Sequence, residues 1–433
     1  MTSAVVGSNL LADLLSGPRP AEWTSLREAA ELRLAGREWP TTAEEDWKYL
    51  DLASLAGAAF RPAAPATPEP GPGDISAYAL SEMIGTRQVF VNGVHAPHAS
   101  CVSALPPGVR FFPISAASEA CRLLGTLGDG GTDPFEDLNT ARFTEGAVLL
   151  VPKNVRVEIP VHLLFLTRGV EAGALPVVLP RVLVALERGA ELELVEEHQG
   201  DGAYLSCPVV EVHLAEGAIL RHERVQREGP EAFHLATLRA DVAAGAQYHS
   251  RTLTFGARLS RQRPRVRLAQ DAEATLDGLA LLGDRQVADT HSFLHHAEPH
   301  GTSRQLHKCV VDGEARAIFN GQIRVAPGAQ VTDAQQQSRN LLLSDKARVD
   351  TKPQLEIYAD DVKCSHGAAV GQLDPEELFY LQSRGLTLAE ARNLLTYGFA
   401  ADLLARLPVA SLRRALRQLV LARTQAASLG DLA

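Results

Sequence analysis

A Gly-Ala dipeptide recurs at one phase through the middle of the chain, and this repeat restricts the possible folds more than any other feature. It occurs at Gly189-Ala190, Gly217-Ala218, Gly245-Ala246 and Gly328-Ala329. The first two steps are 28 residues (217 − 189 and 245 − 217), and the last is close to three such steps (328 − 245 = 83), with degenerate copies near 273–274 and 301–302. A fixed period with a turn residue at the same phase is typical of a solenoid.

Short runs rich in Val, Leu and Ile separate these dipeptides from about residue 145 onwards. Strands this short cannot bury an apolar face alone, but the successive coils of a solenoid bury the faces of one another. Because dipeptides typical of tight hairpins are scarce, the pattern favours a parallel β-helix over a β-sandwich with accidental spacing. Whether one period forms one coil or two short ones is left open by the sequence.

Helical patterns flank the repeat on both sides. The predicted organisation is an N-terminal helical domain at 1–85 with a Pro-rich linker at 61–73, a β-helix core at 86–372 and a C-terminal helical domain at 373–433. Since the open ends of a solenoid expose unpaired strand edges, we expect the terminal helices to cover these ends.

The charge balance and the N-terminus exclude several classes of protein. Lys and Arg number 42 against 52 Asp and Glu, so the net charge is −10, which argues against a nucleic-acid partner. Residues 1–20 lack the basic and apolar regions of a signal peptide, and no continuous apolar span is long enough for a membrane helix. The sequence therefore predicts a cytoplasmic protein in a reducing compartment.

The cysteines are few and scattered. The five are Cys101, Cys121, Cys207, Cys309 and Cys364. Their odd number and the lack of a CxxC pair argue against a disulfide framework and against a self-contained site of four thiolates. We interpret all except Cys364 as small buried hydrophobic residues.

A dense group of histidines lies near the end of the repeat. Its members are His291, His295, His296, His300 and His307. Histidine is the commonest metal ligand, but this interval contains Pro299 and Gly301 and has no clean strand or helix phase. No Cys or carboxylate completes a tetrahedral set, so a dedicated metal site is not favoured, and the role of the group stays open.

Cys364 and His366 lie two residues apart in a segment expected to be a strand. That spacing places the thiol and the imidazole on one face and Ser365 on the other. Asp374-Pro375 and a glutamate at the third helical position then predict the start of a helix. From spacing alone, a buried cysteine and a structural histidine would be the simpler interpretation.

The same region resembles the SufB/SufD family of iron–sulfur cluster assembly proteins, and its SufD branch in particular. The segments that carry the resemblance are TKPQLEI at 351–357, DDVKCSHGAAVG at 360–371 and LFYLQSRG at 378–385, with SRQLHK at 303–308 and IFNGQI at 318–323 upstream. The resemblance runs from about Asp289 to about Leu404, and a weaker one extends to 40–51. It implies a mainly β fold, a right-handed parallel β-helix with helical domains at both ends.

The resemblance also implies a function and a site. A member of the SufD branch would be a scaffold subunit of the SufBCD complex, pairing with SufB through the β-helix and binding the SufC ATPase through its C-terminal helices. His366 would be the preferred ligand of a transient iron–sulfur cluster at the SufB interface, with Cys364 as a secondary candidate. Mixed His and Cys ligation holds such a cluster less firmly than four thiolates, which suits a scaffold that must release it. Stoichiometry, homodimer formation, the iron and sulfur donors and flavin binding stay open.

The sequence also bears on catalysis and on two alternative functions. The chain carries no GxxxxGK[ST] loop, so any ATP-driven step must come from a partner, and no catalytic signature predicts an enzyme. A SufB-like scaffold that holds a cluster alone is disfavoured by the scattered cysteines. A β-helix enzyme acting on polysaccharide needs convergent carboxylates, and the only suggestive pair, Asp360 and Asp361, would point to opposite faces of a strand.

Overall fold

The computed structural model describes residues 22–66, 70–117, 121–128 and 133–424, and two long sheets dominate it. Sheet A consists of β1 (Phe60–Pro62), β4 (Arg110–Pro113), β5 (Gly146–Val151), β7 (Leu175–Val178), β8 (Arg181–Leu186), β10 (Leu205–Ser206), β11 (Val209–Leu214), β13 (Phe233–Val242), β15 (Leu259–Leu268), β17 (Val287–His296), β19 (Arg316–Val325) and β21 (Arg348–Ile357). Sheet B consists of β2 (Arg87–Val91), β3 (Val94–His95), β6 (Val161–Arg168), β9 (Glu191–Asp201), β12 (Ile219–Glu228), β14 (Gln247–Thr254), β16 (Glu273–Leu282), β18 (Thr302–Val311), β20 (Thr332–Leu342) and β22 (Val362–Gly371).

The chain alternates between the two sheets, and each strand pairs in parallel with the strand one coil away. Sheet A runs β21-β19-β17-β15-β13-β11-β8-β5 and sheet B runs β22-β20-β18-β16-β14-β12-β9-β6. Among the named strands of the described residues, the pairs β4–β5 and β2–β3 at the N-terminal end are antiparallel. The prediction of a parallel β-solenoid is therefore confirmed, with about seven turns.

One 28-residue period forms one coil with a strand in each sheet, which settles the question that the sequence left open. The repeated glycine turns the chain from sheet A into sheet B with a left-handed backbone at Gly189 (φ 66°), Gly217 (φ 66°) and Gly245 (φ 63°). A side chain is disfavoured in that conformation, which explains the glycine. The amides of Gly189 and Gly217 each donate to a carbonyl of the next coil, at 3.0 Å.

The degenerate repeats lie slightly away from the predicted positions. The left-handed corner falls on Asp271 and His300, just before 273–274 and 301–302. In the following coil it falls on Val331 (φ 62°), because that turn is longer than the one at Gly217 and continues past Gly328.

Six α-helices flank the solenoid within the described residues. They are α1 (Thr24–Leu34), α2 (Ala53–Ala56), α3 (Pro134–Arg142), α4 (Pro375–Ser383), α5 (Leu388–Ala405) and α6 (Ala410–Arg423). None of these helices is both long and apolar enough to cross a membrane.

The helices cover the side faces of the solenoid instead of its ends, so the expectation that they cap both ends was wrong. The N-terminal helices and Trp47 pack on the outer face of sheet A, for example against Phe233 and Leu259. Leu403 and Leu416 of α5 and α6 belong to the cluster on the outer face of sheet B. The physical reason is area: several strands together present a broader apolar surface than one strand edge does.

Candidate functional site

The candidate residues Cys364 and His366 lie on β22, the last strand of sheet B. Cys364 is half-buried and packs against the main core cluster, so this face of β22 points into the solenoid. His366 shares that face by strand alternation and is exposed, as is Ser365 on the opposite face. The imidazole is thus placed at the inner rim of the last coil, where it remains accessible.

In the part of the chain that the structure describes, the C-terminal end of the solenoid is open. Strands β21 and β22 are the terminal strands of their sheets, and neither contains a buried residue among those described. Ile357, Tyr358 and Val370 are large apolar side chains that are between 40% and 56% exposed at this end. A bare edge with apolar neighbours is able to pair with another strand, because its outward backbone groups have no partner in the sheet.

The layer below His366 is polar and buried. In the register of β20 and β22, Gln336 pairs with His366, and Gln305 of β18 pairs with Gln336. Gln336 is fully buried and Gln305 is 5% exposed. The accessible imidazole therefore lies directly on a column of buried amide side chains, which the sequence did not predict.

The environment of Cys364 disfavours the thiolate. Burial raises the pKa of the thiol, a backbone hydrogen bond at Ala334 opposes this rise, and Asp333 adds to it. Since the thiolate is the form that binds metal, Cys364 is a weaker donor at neutral pH than an unperturbed cysteine. A neutral imidazole, in contrast to a thiol, binds metal without losing a proton.

The four other cysteines lie in different surroundings. Cys207 and Cys309 are fully buried, as predicted, and burial raises both pKa values. Cys101 and Cys121 are only half-buried, so the prediction of a buried position was wrong for them. A hydrogen bond with Ser103 lowers the pKa of Cys101. The thiol of Cys101 is therefore more reactive than thiols whose pKa is raised by burial.

We expect iodoacetamide to modify Cys101 several-fold faster than Cys364 at pH 7.5, because the alkylation rate follows the fraction of thiolate. A time course read by peptide mass spectrometry measures both rates in the native chain. Replacing Ser103 with alanine should slow the alkylation of Cys101 and leave the alkylation rate of Cys364 unchanged. Equal rates at the two cysteines would contradict the assigned environments.

The histidine group does not assemble into one site. His296 and His307 point into the solenoid, where they hydrogen-bond Ser303 (2.9 Å) and Thr290 (3.0 Å). His291 and His295 lie on the outer face of sheet A, and His300 forms a corner. Within the part of the chain that the structure describes, no three His, Cys, Asp or Glu side chains are arranged to hold a metal ion.

A buried cluster of charged residues inside the first full coils was missed by the sequence analysis. Glu196 contacts His198 at 2.7 Å and His222 at 3.0 Å, and Glu228 contacts His234 at 2.8 Å. Burial alone would raise the pKa of Glu196, but Arg224 and the two histidines hold it well below its usual value. The available signal was the polar run at 196–199 within an otherwise apolar strand.

The first C-terminal helix begins where the sequence predicted. Asp374 caps α4 by accepting from the Glu376 amide, and Thr387 with Glu390 forms the capping box of α5. Helix α4 contains no buried residue, and its Phe379 is 73% exposed beside Tyr380 at 56%. Both aromatic side chains are therefore exposed on this helix, where large apolar groups are candidates for contact with a partner.

Known proteins match the chain over nearly its full length. Residues 13–163 match the SufBD protein N-terminal region, and residues 167–399 match the SufBD core domain of the SUF system for FeS cluster assembly. The chain is 37% identical over 432 residues to an iron–sulfur cluster assembly SufBD family protein of Synechocystis sp., covering 95% of this chain and 93% of that one. It is 33% identical over 375 residues to the iron–sulfur cluster assembly protein SufD of Escherichia coli, covering 84% of each chain.

Proposed function

The chain belongs to the SufBD family of iron–sulfur cluster assembly proteins, and from this membership we propose that it is a non-catalytic scaffold subunit. It presents His366 at the open end of its solenoid to a cluster that is built between this chain and a second one. The observation that carries the proposal is the exposure of His366 on the inner face of β22, the bare edge strand of sheet B in the last coil. The cluster is the cargo of the complex.

The second chain in this proposal is a SufB-type subunit that supplies thiolates. The free edges of β21 and β22 offer backbone donors and acceptors, and the exposed Tyr358 and Val370 offer apolar area. An edge-to-edge contact would place His366 in the interface. Ligands divided between two chains allow the cluster to be released when the chains separate.

The third subunit is a SufC-type ATPase bound to the C-terminal helices. The exposed Phe379 and Tyr380 of α4 and Leu388 of α5 support this docking surface. The chain lacks a nucleotide-binding loop, so nucleotide hydrolysis belongs to the partner. Movement of the ATPase would strain the contact at the open end. We place this complex in the cytoplasm.

Replacing His366 with alanine tests the function. We expect the variant to fold and to assemble with its two partner subunits, while cluster formation in the complex falls roughly tenfold or more, because one ligand is lost. Cluster formation is measured by iron and sulfide content and visible absorption of the anaerobically purified complex. The matched control is Ser365→Ala, since Ser365 is also exposed but faces away.

Wild-type cluster content in the His366→Ala complex would refute the proposed role of this residue. A cluster reconstituted on the isolated chain would instead favour a scaffold that holds its own cluster. The buried positions of Cys207 and Cys309 speak against that alternative. Asp360 and Asp361 lie in the turn between β21 and β22, where they form no convergent carboxylate site of the kind that polysaccharide hydrolysis needs.

A further inference from the structure

A directional chain of amide hydrogen bonds runs through the solenoid toward its open end. Gln305 Nε2 donates to Ser292 Oγ at 2.8 Å, and Gln336 Nε2 donates to Gln305 Oε1 at 2.8 Å. All three side chains are buried, with exposures of 0%, 5% and 0% for Ser292, Gln305 and Gln336. Each glutamine thus uses its NH2 group toward the interior, which leaves the carbonyl oxygen of the last amide without a donor.

Gln336 Oε1 is this unpaired acceptor. It is buried, and no donor among the described residues reaches it. Buried acceptors without a partner are rare because they lose their hydrogen bonds to water, so this oxygen calls for a donor. The neighbouring residue on the same inner face is His366, which pairs with Gln336 in the register of β20 and β22.

We propose that Gln336 positions the imidazole of His366 by accepting its ring N–H when the ring turns toward the interior of the coil, and this inference rests on the proposed role of His366. In the exposed orientation seen here, the ring does not donate to Gln336 Oε1. A neutral imidazole carries one N–H and one lone pair, so fixing the N–H toward Gln336 directs the lone pair of the other nitrogen outward. Metal-binding histidines commonly have such an acceptor behind them, which sets the tautomer and the ring orientation. Ser292 and Gln305 hold the Gln336 amide in the required direction.

The tautomer of His366 is the direct test. In the full chain labelled with ¹⁵N-histidine, the His366 signals are identified by their loss in His366→Ala. We expect the wild type to show one tautomer, and Gln336→Met, which keeps the length but removes both polar atoms, to show a mixture. The control Gln335→Met, on the exposed outer face of β20, should leave the signals unchanged.

Gln336→Glu distinguishes an acceptor from a donor, because a carboxylate accepts but does not donate. We expect this variant to keep the wild-type tautomer. A reversed tautomer would show that the amide donates to the ring, which overturns the proposal, as would a single unchanged tautomer in Gln336→Met. Should Gln336→Met fail to fold, Gln305→Met provides the second measurement, since it releases the Gln336 amide and should also yield a mixture.

In the assembled complex, we expect Gln336→Met to lower cluster formation about tenfold and Gln336→Glu to preserve most of it. Different results would refute the proposed function of His366 and the proposed positioning role of Gln336. Normal cluster formation in His366→Ala would refute the function of His366, while the tautomer of the isolated chain would still report whether Gln336 positions the ring. A lowered yield in Gln336→Met with an unchanged tautomer would assign Gln336 a merely structural role and overturn this inference.

Discussion

Replacing Glu136 with leucine is expected to lower the free energy of unfolding by about 3–5 kcal/mol, because it removes the carboxylate from a buried, doubly hydrogen-bonded ion pair. Glu136 lies on α3 and accepts two hydrogen bonds from Arg239 of β13, at 2.6 and 2.5 Å. The two side chains are only 9% and 6% exposed, so water cannot replace the lost carboxylate. The pair connects the N-terminal helical part to the solenoid.

Chemical denaturation of the full chain, followed by circular dichroism, measures this loss. The double variant Glu136→Leu/Arg239→Leu should recover much of it, because the buried guanidinium is then removed together with the carboxylate. A matched surface control is Glu314→Leu, whose partners Arg285 and Lys346 are 86% and 74% exposed and contribute little. Equal losses for Glu136→Leu and Glu314→Leu would contradict the burial argument.

Acid should destabilise the fold through His307, whose buried imidazole gives the clearest single contribution. Burial lowers the pKa of His307 to about 4 in the folded chain, whereas an unfolded histidine titrates near 6.5. Below pH 6.5, His307 is therefore protonated in the unfolded chain while it is still neutral in the folded chain. The resulting loss of stability grows as pH falls and reaches roughly 3 kcal/mol at pH 4.

The comparison of His307→Gln with wild type isolates this contribution from the other titrating groups. Glu223 acts in the opposite direction, because burial raises its pKa to about 7. The dependence of whole-chain stability on pH therefore combines stabilising and destabilising contributions. We expect the stability difference between pH 7 and pH 4 to be roughly 3 kcal/mol smaller in His307→Gln.

Phe319, whose ring stacks on His307 at 4.7 Å, provides the control for packing. Phe319→Leu loosens the same contact but removes no titratable group, so it should lower stability by a similar amount at both pH values. If the stability of His307→Gln and that of the wild type changed equally between pH 7 and pH 4, His307 would not couple folding to pH.

The strands and turns of the solenoid were predictable because their causes are local. A left-handed corner requires a residue such as Gly217, and its recurrence every 28 residues reports the length of a coil. Capping of α4 and α5 depends on residues within one turn of Asp374 and Thr387, so the starts of these helices also follow from local sequence. The side-chain alternation around Cys364 follows from strand geometry alone. The roles of Cys364 and His366 in cluster assembly stay predictions.

By itself, the sequence determined the coil length, the order of helices and strands, and the family to which the chain belongs. Only the tertiary structure decided that the helices cover the faces of the sheets, that the last coil stays open, and that Gln336 lies beneath His366. The reason is distance along the chain: Gln336 and His366 are 30 residues apart (366 − 336), and parallel stacking alone makes them neighbours. A local pattern shows that a strand alternates, but the pairing register selects which side chains meet.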